Sequence, residues 1–195
     1  MYKKQMTLQR VLCILFIVSS VLVFVYALGF MTDAYDMLSP IDNKTEEMKT
    51  LMSDMDSFDK HLVRIGIGLI LVSLGLVLTN THTRRRYYIS NYIATGLAAA
   101  AACAVTINAH NNIADLRSRY YSGIINFEAV QKALDPHPGR RPPLGVFTES
   151  SFWFDAHYFV FGILLVTAVL LILNVIWKSI LMKGEKEALS ATKEV

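Results

Sequence analysis

Any chemistry in this chain would have to come from its histidines, its two cysteines and the few charges that interrupt its apolar sequence. Five histidines are present: His61, His82, His110, His137 and His157. Three of them, His61, His110 and His157, stand near the ends of apolar blocks, where a metal or haem site would have to be built. Zinc needs three or four converging donors, and haem needs two axial ligands facing one another. Helical phase argues against a shared three-histidine site. On a helix through this region, Gly96, Ala100, Ala104, Asn108, Asn111, Asn112 and Asp115 share one stripe, and His110 lies off it. Asp155 and His157 are two residues apart and point different ways on a helix. His61 and His157 remain as weak metal-ligand candidates, and no resident metal or cofactor is expected.

Arg64 is the most singular charge, because it interrupts the second apolar block. An ionised side chain at such a place is costly unless it is paired, and it marks a functional position by default. Counting along the helices places Asp155 at a similar depth, with Asn108 and Asp115 as further partners; lipid phosphate is the competing partner. Arg64, Asp155, Asn108 and Asp115 therefore form the candidate polar cluster. No phosphate loop, H-E-x-x-H, nucleophile elbow or paired carboxylates within apolar blocks occurs, so no catalytic residue is assigned. Cys13 and Cys103 both lie inside apolar blocks, which leaves no disulfide framework and no thiol redox motif. Asn43-Lys44-Thr45 matches an N-glycosylation acceptor.

The elements that must position these residues follow from composition. Of 195 residues, 53% are hydrophobic and 18% charged, an apolar excess over soluble domains. The excess is concentrated in four blocks, about 11–31, 62–78, 88–109 and 152–177. This excludes a soluble globular enzyme, a disordered chain and a disulfide-stapled secreted domain. A helix crossing ~30 Å of hydrocarbon needs ~20 apolar residues. The expected fold is all-α: a four-span transmembrane helix bundle with helical extensions on the outer side, forming one polytopic membrane domain over 1–195. The first block is longer than a signal-peptide core, so it reads as a retained anchor. The N-terminal tail, the 79–87 connection and the C-terminal tail hold ten Lys/Arg against three acids; the 32–60 and 110–151 segments hold eight against twelve. That asymmetry places both termini in the cytoplasm, with Arg84, Arg85 and Arg86 as the strongest single determinant. The plasma membrane is the expected location.

The 32–61 segment reads as an outer helical hairpin. Ile41, Met48, Leu51, Met52, Met55, Phe58 and Leu62 recur at helical spacing, Ser39-Pro40 supplies a start signal, and Asp36, Asp42, Glu46, Glu47, Asp54, Asp56 and Asp59 form the solvated side. In the outer 110–151 segment the third helix continues through Ile113, Leu116 and Tyr120, and a short helix follows from Phe127 to Leu134. The proline-rich run Asp135 to Pro143 then breaks any helix. Small residues at Gly68 and Gly75 on the second helix and Gly96, Ala100 and Ala104 on the third predict close packing of these two helices. The expected function is that of a non-enzymatic membrane protein: an accessory, scaffold or sensor subunit whose outer helical layer meets a partner. The expected partners are the lipid bilayer and either another membrane protein or a second copy, with no nucleic acid. A small oligomeric transporter or channel component is the alternative, and a metal or haem protein using outer-side histidines is the second alternative.

Overall fold

A computed structural model describes residues 2–38, 44–81, 88–127 and 151–193. The Ser39-Pro40 start, Asn43, the Arg84–Arg86 connection, His82, His137 and the Asp135–Pro143 run lie outside the described residues. The described residues form four helices: α1 (Tyr2–Leu38), α2 (Glu46–Thr81), α3 (Tyr88–Tyr120) and α4 (Phe152–Lys193). No strand occurs among the described residues. All four are long and apolar enough to cross a membrane. Their lengths of about 50–63 Å exceed a ~30 Å hydrocarbon layer, so each apolar block occupies only part of its helix.

Local chemistry sets the helix ends. Thr45 caps α2, accepting the Met48 N–H on its hydroxyl at 3.2 Å, and Glu46 and Glu47 complement the first turn's dipole. Ser151 plays a similar part for α4: its carbonyl accepts the Asp155 N–H at 2.8 Å, and its hydroxyl donates to the Asp155 carboxylate. Arg117 and Arg119 sit in the last turn of α3. The chain then leaves through Gly123 at φ +88°, a left-handed position that glycine adopts without strain.

The helices contribute to two compact units. The first comprises Met1–Val21, Gly68–Ala104 and Ile163–Val195. Its core packs Leu12, Phe16, Leu69, Leu76, Ala98, Ala102, Leu164 and Leu171. Ser19 and Thr167 join α1 to α4 through their hydroxyls at 3.2 Å. The second unit comprises Leu22–Ile67 and Val105–Gly162. Met48, Leu51, Met52, Met55, Phe58 and Leu62 bury the α2 stripe there, and Ile113, Leu116 and Tyr120 of α3 are buried in the same unit with an aromatic cluster. Phe30 meets Phe58 and Phe154 edge-on, and Tyr26 meets Phe161 edge-on. The Tyr26 hydroxyl donates to the Trp153 carbonyl at 2.9 Å.

Three sequence expectations require correction. Gly68, Gly75 and Gly96 have open space where a Cβ would project, and Ala100 and Ala104 are exposed, so this stripe does not carry close helix packing. The buried face of α3 is set by Asn91, Thr95, Ala98, Ala102, Ala109, Ile113 and Leu116, a helical repeat rotated away from the glycine stripe. The close approach falls instead at Gly66, where a Cβ would lie 3.0 Å from the Phe24 Cα. Asp59 does not join the solvated acids of α2, since it is 1% exposed. Arg64 is exposed and makes no ion pair among the described residues, because Asp155 pairs with Arg117 at 3.0 Å.

Candidate functional site

Past its 62–78 apolar block, α2 turns one face to the core and leaves Asp54, Ser57 and His61 beside α3. On α3 the polar stripe identified in sequence supplies Asn108, Asn112 and Asp115. Together with Phe58, Leu116 and Arg119 these side chains line an open cleft of about 470 Å³. The Asn112 amide donates to the Asn108 carbonyl at 2.8 Å, which fixes that wall. Arg119 closes one end, reaching Asp54 at 2.7 Å and Asp115 at 3.5 Å. These two carboxylates hold the guanidinium firmly in its charged form. Two carboxylates against one guanidinium leave the cleft wall acidic, and Ser57 and His61 present further donors and acceptors.

A second cleft, of about 460 Å³, lies along α3 and α4 and is lined by Arg117, Ser118, Tyr121, His157 and Tyr158 among others. His157 is 4% exposed, and its Nδ1 donates to the Phe154 carbonyl. Its Nε2 stands 3.2 Å from Nδ1 of His110, and the Tyr158 ring stacks beside it at 3.9 Å. Arg117 and Asp155 form their ion pair near this cleft.

The sequence-derived cluster therefore divides. Asn108 and Asp115 share the first cleft with His61; Asp155 belongs with Arg117; Arg64 lines neither cleft. His61 and His157 do not converge, and no group of three or more His, Cys, Asp or Glu among the described residues could hold a metal ion. The partner of His157 is His110, the residue that helical phase had set aside: a position off the stripe of one helix is free to face a third helix.

The first unit holds a polar feature that sequence reasoning missed. Gln5 donates to Gln9 Oε1 at 3.1 Å and lies 3.5 Å from Asn174 Oδ1; Gln9 in turn donates to Asn80 Oδ1. The Asn91 amide donates to Asn80 Oδ1 at 2.8 Å and accepts from Lys178 Nζ at 2.8 Å. This belt joins all four helices through side chains that are at most 4% exposed. Its signal was present in sequence as polar residues spaced four apart at the ends of apolar blocks: Gln5 with Gln9, Asn91 with Thr95, Asn174 with Lys178.

Asp59, on the extension of α2 beyond the 62–78 block, has no hydrogen-bond partner for either carboxylate oxygen among the described residues. Burial and the neighbouring Asp56 push its pKa from 3.8 up to about 6, against the pull of Lys60.

The described residues define an all-helical fold with four helices long and apolar enough to span a membrane. The chain matches no family model, no curated protein and no solved structure.

Proposed function

We propose that this is a four-span integral membrane protein of the plasma membrane, with both termini cytoplasmic, acting as a non-enzymatic accessory, scaffold or sensor subunit. Its partner would be another membrane protein or a second copy of the chain. The exterior of the helices supports membrane insertion: Ile14, Leu71, Leu97, Phe159 and Val166 are 58–70% exposed, a distribution that hydrocarbon tolerates and water does not. On this reading the helical extensions of the second unit lie outside the cell, over the acidic segments.

The observation that carries the accessory role is the first cleft. It sits on helical extensions with their own buried core, and its polar wall is acidic at Asp54 and Asp115 around a single Arg119. Such a wall suits a basic segment of a partner, through charge-assisted hydrogen bonds. A photoreactive residue at Ser57 should give one discrete adduct in cells, lost when Asp115 is changed to Lys. An adduct only with itself would make the role homo-oligomeric, and no adduct would remove the accessory reading. Topology is tested separately, in a Cys13→Ser, Cys103→Ser background. Single cysteines at Ser53 and Lys183 should label from opposite sides.

The amide belt favours a second reading, a small transporter or channel component. Buried polar groups inside spanning helices are a common mark of a pathway, and Lys178 places an ionisable group among them. Flux in reconstituted vesicles that is abolished by Asn80→Leu would select this reading over the first.

A further inference from the structure

We propose that His110 and His157 form a two-imidazole binding site for a divalent first-row transition ion of the zinc and copper class. The reasoning begins with the ring that cannot move. His157 is 4% exposed, its Nδ1 donates to the Phe154 carbonyl, and Tyr158 packs on its face. A nitrogen that donates to a carbonyl carries the ring's proton, so Nε2 holds the free lone pair. Ligand histidines are typically oriented in this way, with the far N–H pinned by a carbonyl or carboxylate.

The second ligand is adjustable. His110 is exposed on α3, and its Nδ1 lies 3.2 Å from that lone pair. An ion bonded at ~2.0–2.1 Å to both nitrogens, themselves 3.2 Å apart, would subtend an angle of about 100–106°, close to tetrahedral. That separation is close to the one two nitrogens hold on a tetrahedral ion, but the rings meet head-on, so the ion is reached only once His110 has moved off the line of the His157 lone pair. The ring centroids are 5.5 Å apart, a head-on arrangement suited to an N–H···N hydrogen bond. Binding requires His110 to give up that bond, move its Nδ1 proton to Nε2 and turn its ring so that the freed lone pair meets the ion, and His110 is exposed on α3. The adjoining cleft of about 460 Å³ leaves room for water or another oxygen donor to complete the coordination.

Electrostatics permit the ion. Arg117 is the nearest cation, and its charge is matched by Asp155 at 3.0 Å. Two neutral imidazoles select zinc, copper or nickel over magnesium and calcium, which prefer oxygen.

The test uses the full chain purified in detergent without a polyhistidine tag. Zn²⁺ titrated by calorimetry should bind at one ion per chain, while Mg²⁺ and Ca²⁺ should not. Cu²⁺ in the same site should show an electron paramagnetic resonance spectrum with nitrogen hyperfine structure from two imidazoles. Loss of a residue that merely orients a ligand costs about 10–100-fold, so His110→Gln and His157→Gln should each weaken Zn²⁺ binding by at least about tenfold. His61→Gln, in the other cleft, should leave it unchanged. His110 is exposed, so its variant retains the fold and decides the matter alone if His157→Gln fails to fold. No saturable Zn²⁺ uptake by the wild type, or unchanged affinity in His110→Gln, overturns the site.

Discussion

Gly66 offers the sharpest test of the packing. A methyl group added there would meet Phe24 Cα at 3.0 Å, its Cβ at 3.1 Å and its Cδ2 at 3.3 Å. Carbon atoms prefer ~3.5–4.0 Å, and the nearest of these atoms is backbone, so α1 and α2 must separate locally by several tenths of an ångström. Overpacking of this kind costs about 1–3 kcal/mol. Replacing glycine by alanine inside a helix gains about 0.8–1 kcal/mol of propensity, which offsets part of that loss. Gly68, two residues on, has nothing within 4 Å of the same methyl position and takes the gain alone. Comparing Gly66→Ala with Gly68→Ala cancels the propensity term and leaves the contact, a difference of about 1–3 kcal/mol. Reversible unfolding in mixed micelles, followed by helical circular dichroism, measures it. Gly66→Leu should be more severe, and Gly68→Leu tolerated. Equal stability of the two alanine variants would show that α1 and α2 do not touch at Gly66.

Three further outcomes are expected. Asp59 holds its proton more tightly when folded, with a pKa of about 6 against 3.8, so its contribution is full below about pH 4 and lost as pH rises through about 6; this is worth up to about 3 kcal/mol. Asp59→Asn should flatten that part of the stability profile and exceed the wild type near pH 7.5; an unchanged profile refutes the burial of Asp59. Asn80→Leu leaves Gln9 and Asn91 without their common acceptor and should cost about 1–2 kcal/mol, whereas Asn108→Leu on the exposed stripe should cost almost nothing; equal effects in thermal unfolding would dissolve the belt. Arg119→Gln breaks two part-exposed ion pairs and should cost less than about 1 kcal/mol in low-salt unfolding, so a larger loss would mean that the pairs are shielded from water.

Regular apolar patterning was legible and phase-dependent detail was not. The stripe from Met48 to Leu62 and the continuation of α3 through Ile113, Leu116 and Tyr120 read correctly because large side chains at a 3.6-residue period have one way to be buried. The glycine stripe misled because a small residue suits close packing and open surface equally well, and only neighbouring large residues decide which face is inside. Asn91 and Thr95, in phase with Ala98 and Ala102, held that information. Only depth along the helices matches Arg64 to Asp155 in the sequence. Depth does not fix azimuth, and Arg117 on α3 meets Asp155 instead. His110 lies off the one stripe that helical phase picks out on α3, but a helix in a packed unit has several occupied faces.

Polarity is buried in two different ways, and the difference follows from which residues each unit contains. Up to Glu185 the segments of the first unit contain no carboxylate at all, so Lys178 has no acid there to meet and is held by the Asn91 carbonyl instead. Amides suit such a place, because they satisfy one another as donor and acceptor without carrying charge, and burying a paired amide costs far less than burying an ion. The second unit joins Arg117 to Asp155 and Arg119 to Asp54 and Asp115, with side chains 30–65% exposed, where water screens the charges and lowers the cost. Burial away from water in the first arrangement and exposure to it in the second account for both. The two functional readings then separate along the same line, since altering the belt at Asn80 tests a pathway and altering the cleft at Asp115 tests a docking surface.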